Sequence, residues 1–147
     1  MAKEIERKFL VINDSFVKMA EKVLHIEQGY ISHRPEGTVR VRIKEDKGYI
    51  TIKSKNEGAS RDEWEYEIPV HDAKQMLDTV CEGNIIIKDR HIVSYGNHTW
   101  EIDVFHGKNE GLTVAEVELK NADENITLPP FIGEEVTGNA KYYNSNL

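Results

Sequence analysis

The sequence predicts a mainly β domain of the α+β class, with about eight mostly antiparallel strands and two or three short helices. Three observations predict it. Apolar and charged residues alternate with period two along most of the chain. The helical stretches are few and short. Turn signals such as RPEG, DKG, YGNH and HGKNEG punctuate the alternating runs.

In chain order, EIERKFLVI reads as the first strand. NDSFVKMAEKV follows as a short helix with Asp14 or Ser15 as N-cap. HIEQGYISH is a second strand. TVRVRIKED and GYITIKSK, joined through DKG, form a hairpin. SRDEWEYEIPV alternates again. HDAKQMLDTVCEG is helical, with Asp72 as N-cap and Gly83 as its stop. NIIIKDRHIVSY, HTWEIDVF and LTVAEVELK supply the remaining strands. In the tail, Pro129-Pro130 excludes a long helix and leaves room for a short one.

Length and composition fit one domain spanning residues 1–147. Charged residues make up 31% of the chain and the net charge is -7, which argues against nucleic-acid binding driven by overall charge. Cys81 is the single cysteine, so no internal disulfide forms, and the six histidines are scattered rather than grouped as a zinc site. No apolar run approaches membrane-spanning length and no secretory h-region opens the chain, so a cytoplasmic location without membrane contact is expected.

Parity places the charges. Arg40, Arg42 and Lys44 share one strand face, opposite Val39, Val41 and Ile43. Thr51, Lys53 and Lys55 oppose Ile50 and Ile52. Arg61, Glu63 and Glu65 oppose Trp64 and Tyr66, and Lys88 shares a face with Arg90. Glu4 with Glu6, Glu101 with Asp103, and Glu116 with Glu118 are acidic pairs at i, i+2. A solvated face gains solubility from mixed signs, whereas these signs are segregated. An eight-stranded antiparallel closed barrel turns the charged faces into a lumen and leaves the apolar outer faces to helices or a partner subunit. A basic lumen suits a polyanion. Paired carboxylates suit Mg²⁺ or Mn²⁺. A polyphosphate carrying its metal satisfies both. Tyr30, in QGYI, reads first as a packing aromatic, with a place along the tunnel as the alternative.

The segments EIERK, VRVRIK, ITIKSK, SRDEWEYEI, KDR, EIDVF, AEVEL and GEEVTGNAKYYNSNL, in that order, resemble the CYTH superfamily of triphosphate tunnel metalloenzymes. EIERK is similar to that family's E-x-E-x-K signature, and the ordered set is most similar to short bacterial inorganic triphosphatases. The resemblance implies an eight-stranded tunnel. It implies that Glu4, Glu6, Asp103, Glu116 and Glu118 are metal ligands, and that Lys8, Arg40, Arg42, Lys53, Arg61, Lys88 and Arg90 bind the triphosphate. Of these, Lys8, Arg61 and Lys88 are expected to act in catalysis. Glu63, Glu65 and Glu101 sit among the tunnel acids without an assigned role. Two departures stand out: a C-terminal helix able to plug the tunnel is absent or very short, and Lys141 stands where relatives often carry Arg.

The implied activity is metal-dependent hydrolysis of inorganic tripolyphosphate to phosphate and pyrophosphate, with Mg²⁺ or Mn²⁺. Alternatives are a thiamine or nucleoside triphosphatase, an adenylate cyclase of the same superfamily, and a non-catalytic polyphosphate-binding module. A small-molecule triphosphate is the expected partner, and the apolar outer strands suit a homodimer.

Overall fold

A computed structural model describes residues 2–147. Nine strands are formed among the described residues. They are β1 (Ala2–Val11), β2 (Lys22–Arg34), β3 (Gly37–Lys44), β4 (Lys47–Ser54), β5 (Ser60–Ile68), β6 (Glu82–Tyr95), β7 (His98–Phe105), β8 (Thr113–Glu118) and β9 (Ile132–Glu135). Their order in the sheet is β5-β4-β3-β2-β6-β7-β8-β1-β9, and β5 also pairs with β1. That last pairing closes eight strands into an antiparallel barrel.

The closure depends on β1 dividing its length between neighbours. Ala2 to Ile5 pair with Glu63 to Ser60 of β5, and Glu6 to Leu10 pair with Glu118 to Val114 of β8. The segment EIERK thus straddles the seam and touches both walls. β9 pairs with β1 near Phe9 and Val11. This ninth strand stands where the sequence reading leaves room for a short helix. Gly133 permits it, because a Cβ there would lie 2.5 Å from Ile12 Cγ2 and 3.2 Å from the Leu10 carbonyl oxygen.

The helices lie outside. α1 (Phe16–Met19) is shorter than expected and seats Phe16 between His91 and Phe131. α2 (Val70–Thr79) buries Ala73 and Leu77 against Val41. Its axis approaches the sheet closely because Gly48 has no side chain; a Cβ there would stand 2.8 Å from Ala73 Cβ. The caps differ from the expected ones. Pro69 precedes the helix, Asp72 sits in its first turn, and Val80 ends it. Gly83, with φ of 72°, lies within β6.

The alternation resolves as expected into an outer apolar face and an inner charged one. Outside, Phe9, Val93, Trp100, Ile102, Ala115, Val117 and Phe131 form the largest core, beneath α1 and the returning tail. Inside, the polar lumen is not open along its whole length. Ile86 of β6, Phe105 of β7 and Val114 of β8 lie on the inward parity and cluster with Leu112 and Leu147. Among the described residues no helix is long and apolar enough to cross a membrane.

Candidate active site

The barrel encloses a cavity of about 170 Å³. Its lining includes eight basic side chains, Lys8, Arg40, Arg42, Lys44, Lys53, Arg61, Lys88 and Arg90. It also includes seven acidic ones, Glu4, Glu6, Glu63, Glu65, Glu101, Glu116 and Glu118. The totals nearly cancel, so placement decides the field. β3 and β6 contribute Arg40, Arg42, Lys44, Lys88 and Arg90 as a basic wall. β1 and β8 contribute Glu4, Glu6, Glu116 and Glu118 as an acidic one, broken by Lys8.

On the basic wall the cations are held by carboxylates behind or beside them. Arg90 is gripped in fork fashion by Asp103, with Nε to Oδ1 at 2.8 Å and Nη2 to Oδ2 at 2.9 Å. Lys88 Nζ meets the same Asp103 at 2.7 Å. Arg40 and Arg42 reach Glu65 Oε2 at 3.5 and 3.4 Å, and the Thr51 hydroxyl donates to that oxygen at 2.7 Å. The Nε groups of both arginines are buried and have no hydrogen-bond partner. Such groups are costly to leave unmade and mark a place for an acceptor.

On the acidic side, Lys53 Nζ donates to both oxygens of Glu4, at 2.9 and 3.1 Å, and lies 3.3 Å from Glu63. Arg61 Nε donates to Glu4 at 3.1 Å. Lys8 Nζ stands 3.5 Å from Glu116.

Burial and neighbours set the protonation. Burial by itself would raise Glu4, but Lys53 and Arg61 outweigh it and hold the carboxyl at about 2. Glu6 goes the other way: burial, then the nearby Glu116 and Glu4, push it well above the usual carboxylate range. Glu116, on the neighbouring β8, is held well below the usual range because Lys8, with Arg90 and Lys88, outweighs the cost of burying it. Glu118 is raised by burial and by Glu4 and Glu101. Lys88 is lowered to about 7, chiefly by its complete burial, with Arg90 adding to the effect against the pull of Asp103. Asp103 is held at about 2 because Arg90 and Lys88 outweigh the cost of burying it.

All expected site residues except Asp103 line the cavity. Asp103 is 1% exposed, and its two oxygens are taken by Arg90 and Lys88, which leaves it beneath the cations rather than among the open carboxylates. Glu65 and Glu101 gain places in the sequence's unassigned set: Glu65 on Arg40 and Arg42, Glu101 at 3.5 Å from Arg90. Tyr30, read first from the sequence as a packing aromatic, lines the lumen, and its hydroxyl accepts from Gln28 at 3.3 Å. Gln28 and Tyr30 share inward parity, paired with Arg42 and Arg40, but neither carries the charge by which the sequence marks an inward face. The tail also departs from expectation. It forms no plugging helix, yet Tyr143, Asn144 and Ser145 line the cavity from two 3₁₀ turns, while Lys141 is exposed outside it.

The open carboxylates fit a hard divalent cation in donor type and in charge. They offer only oxygen, and Glu6 and Glu118 lack a cationic partner close enough to keep their pKa values from rising. Among the described residues no three of these side chains already stand as a coordination group. Holding an ion requires Glu6 to give up its proton and the side chains to turn.

A closed antiparallel barrel with opposed basic and acidic inner walls defines a class of domain that binds a polyanion together with a cation. The chain belongs to the CYTH domain family, whose match spans residues 2–146. It is 47% identical to the inorganic triphosphatase of Acetivibrio thermocellus over 147 residues, covering 100% of this chain and 94% of the relative. It is 34% identical to the inorganic triphosphatase of Nitrosomonas europaea over 149 residues, covering 98% and 95%. The fold superposes on the crystal structure of the inorganic triphosphatase NE1496 with a TM-score of 0.70, at 30% identity, covering 99% of this chain and 94% of that one.

Proposed function

We propose that the chain is a metal-dependent triphosphatase that hydrolyses inorganic tripolyphosphate to phosphate and pyrophosphate. The observation that carries this is the pair of buried, unpartnered Nε groups of Arg40 and Arg42, set in a basic wall facing open carboxylates. A phosphate chain supplies acceptor oxygens to the first wall, and its bound Mg²⁺ or Mn²⁺ satisfies the second. The names of the two relatives support the same substrate class.

In this reading Arg40, Arg42 and Arg90 bind phosphate oxygens through forked N–H groups, and Lys53 acts as a point charge. Glu65 and Asp103 hold these cations in position, so little reorganisation is needed when the substrate arrives. A divalent ion on Glu4, Glu6, Glu116 and Glu118 would polarise the phosphoryl oxygens and lower the pKa of water. Lys88, with a pKa near 7, takes the proton of the attacking water as the new P–O bond forms and the bridging P–O bond breaks. Lys8 and Arg61, beside the acidic wall, neutralise the departing pyrophosphate. Asp103 is assigned a positioning role in place of the metal-ligand role expected from the sequence, because it is fully buried beneath Arg90 and Lys88 and, unlike Glu4, does not line the cavity.

The lining argues against a nucleotide-specific enzyme. Tyr30 and Tyr143 are its only aromatic side chains among the described residues, and an adenine ring has no apolar slot there. The deciding experiment incubates purified protein and Mg²⁺ or Mn²⁺ with tripolyphosphate, ATP and thiamine triphosphate, and identifies the products. Phosphate and pyrophosphate from tripolyphosphate are expected. Cyclic AMP from ATP, or tight binding without turnover, would overturn the proposal.

A further inference from the structure

Along β3 the inward side chains become less buried toward the turn that follows it. Arg40 and Arg42 are 9% and 7% exposed, whereas Lys44, the last residue of the strand, is half-buried. Glu65 and Glu101, the acids whose charges reach Lys44, have side chains 34% and 41% exposed. Lys44 therefore lines the cavity at an open mouth. Its bonding sets it apart. Every other cation of the lining makes an ion pair with a carboxylate. The Lys44 ammonium makes no ion pair and no hydrogen bond among the described residues. It lies 5.5 Å from the centre of the Tyr49 ring, a weak hold at so open a place. Burial, then the guanidiniums of Arg42 and Arg90, lower its pKa, against the pull of Glu101 and Glu65. A cation crowded by like charges and lacking an acid of its own gains more from an arriving anion than one whose charge is already balanced.

We propose that Lys44 is a further substrate-binding residue: it takes the phosphoryl group of the bound chain that lies at the mouth of the lumen. The proposal rests on the tripolyphosphatase reading above and adds to it the cation that meets the entering anion. Chemistry favours lysine for this task. Arg42 and Arg90, deeper in the wall, have guanidiniums fixed by Glu65 and Asp103. Lys44 is a point charge on a flexible stem, so it can leave the Tyr49 ring and follow a phosphoryl group as the chain settles. No bond is made or broken at Lys44. Its contribution is the same before and during the chemical step, so it appears in binding and not in turnover.

The test measures tripolyphosphate hydrolysis in Mg²⁺ for wild type, Lys44→Gln, Lys44→Arg and Lys74→Gln. Lys44→Gln removes the charge and is expected to raise KM by roughly five- to tenfold, with kcat within about twofold of wild type. Lys44→Arg keeps the charge and is expected to return KM to within about twofold of wild type. The gap in KM between wild type and Lys44→Gln should narrow as salt is added, because a half-exposed charge contact is screened. Lys74→Gln makes the same charge change at an exposed position on α2, away from the lumen, and is expected to leave KM unaltered. A KM in Lys44→Gln within about twofold of wild type, a loss confined to kcat, or an equal rise in Lys74→Gln overturns the proposal. Calorimetric titration with tripolyphosphate, without metal, reads the contact independently of turnover. Wild type that binds more tightly than Lys44→Gln but cleaves nothing would sink the hydrolase reading and leave the mouth contact standing. Cleavage with equal KM in the two proteins does the reverse, and wild type that neither binds nor cleaves overturns both.

Discussion

Asp103 and Lys88 show how single residues divide the work of the lumen. Asp103 is fully enclosed and bonded to two cations, so its loss leaves both charges buried without a partner. Asp103→Ala is expected to cost about 3–5 kcal/mol of stability, measured by denaturant unfolding. A cost under about 1 kcal/mol would place it outside the network. Arg42 is held by Glu65 at one nitrogen and has a free Nε, and burial together with Arg40 and Arg90 lowers its pKa to about 10. Arg42→Ala should lower kcat/KM for tripolyphosphate by more than ~2 kcal/mol, or roughly 30-fold. Lys88 titrates near 7, so a rate that depends on its neutral amine rises with pH through that value. The pH profile of kcat should show this ascending limb, and Lys88→Arg should abolish it. A flat profile between pH 6 and 9, as a range bracketing the Lys88 value of about 7, would remove Lys88 as the proton acceptor.

At the scale of elements, β1 and β8 carry the carboxylates that give the metal-free protein its own pH dependence. Glu6 has a folded pKa well above its unfolded value, so the folded state binds the extra proton. Its contribution to stability is present below the ordinary glutamate range and is lost as pH rises through the folded pKa. Glu4, held at about 2, acts oppositely: its contribution is present above the ordinary range and is lost as pH falls toward 2. Divalent metal should relieve the first effect, because an ion replaces the proton on Glu6. Mg²⁺ or Mn²⁺ at about 100 times its Kd should add about 2.7 kcal/mol of stability above neutral pH, seen as a rise in Tm. Glu6→Gln should show no such rise. An equal rise in that variant would place the ion elsewhere. Chelation should abolish turnover in the wild type.

For the whole molecule, the alternation in each strand identified the inner and outer faces, and the segregated signs identified opposed walls. Period two is enforced by backbone geometry, so Arg40, Arg42, Lys53, Lys88, Arg90, Glu4, Glu6, Glu116 and Glu118 were all legible as inward residues. Features that break the period were not legible. Uncharged inward residues were not legible either: Gln28 and Tyr30 pair with Arg42 and Arg40 but carry no charge to mark their face. β9 and the 3₁₀ turns are too short for periodicity to register, and only their contacts with β1, Lys8 and Lys88 bring them to the site.

The sequence by itself determined the barrel, its charged interior and the side chains that face it, because strand parity and charge are local properties. The tertiary structure decided which of those side chains remain free. Asp103 is consumed by Lys88 and Arg90, Glu4 is shared with Lys53 and Arg61 yet still faces the cavity, and Lys88 is met by Asn144 from a tail at a separation of 56 residues. Pairing across a closed sheet depends on register and shear, which sum over all eight strands and are not written in any one of them.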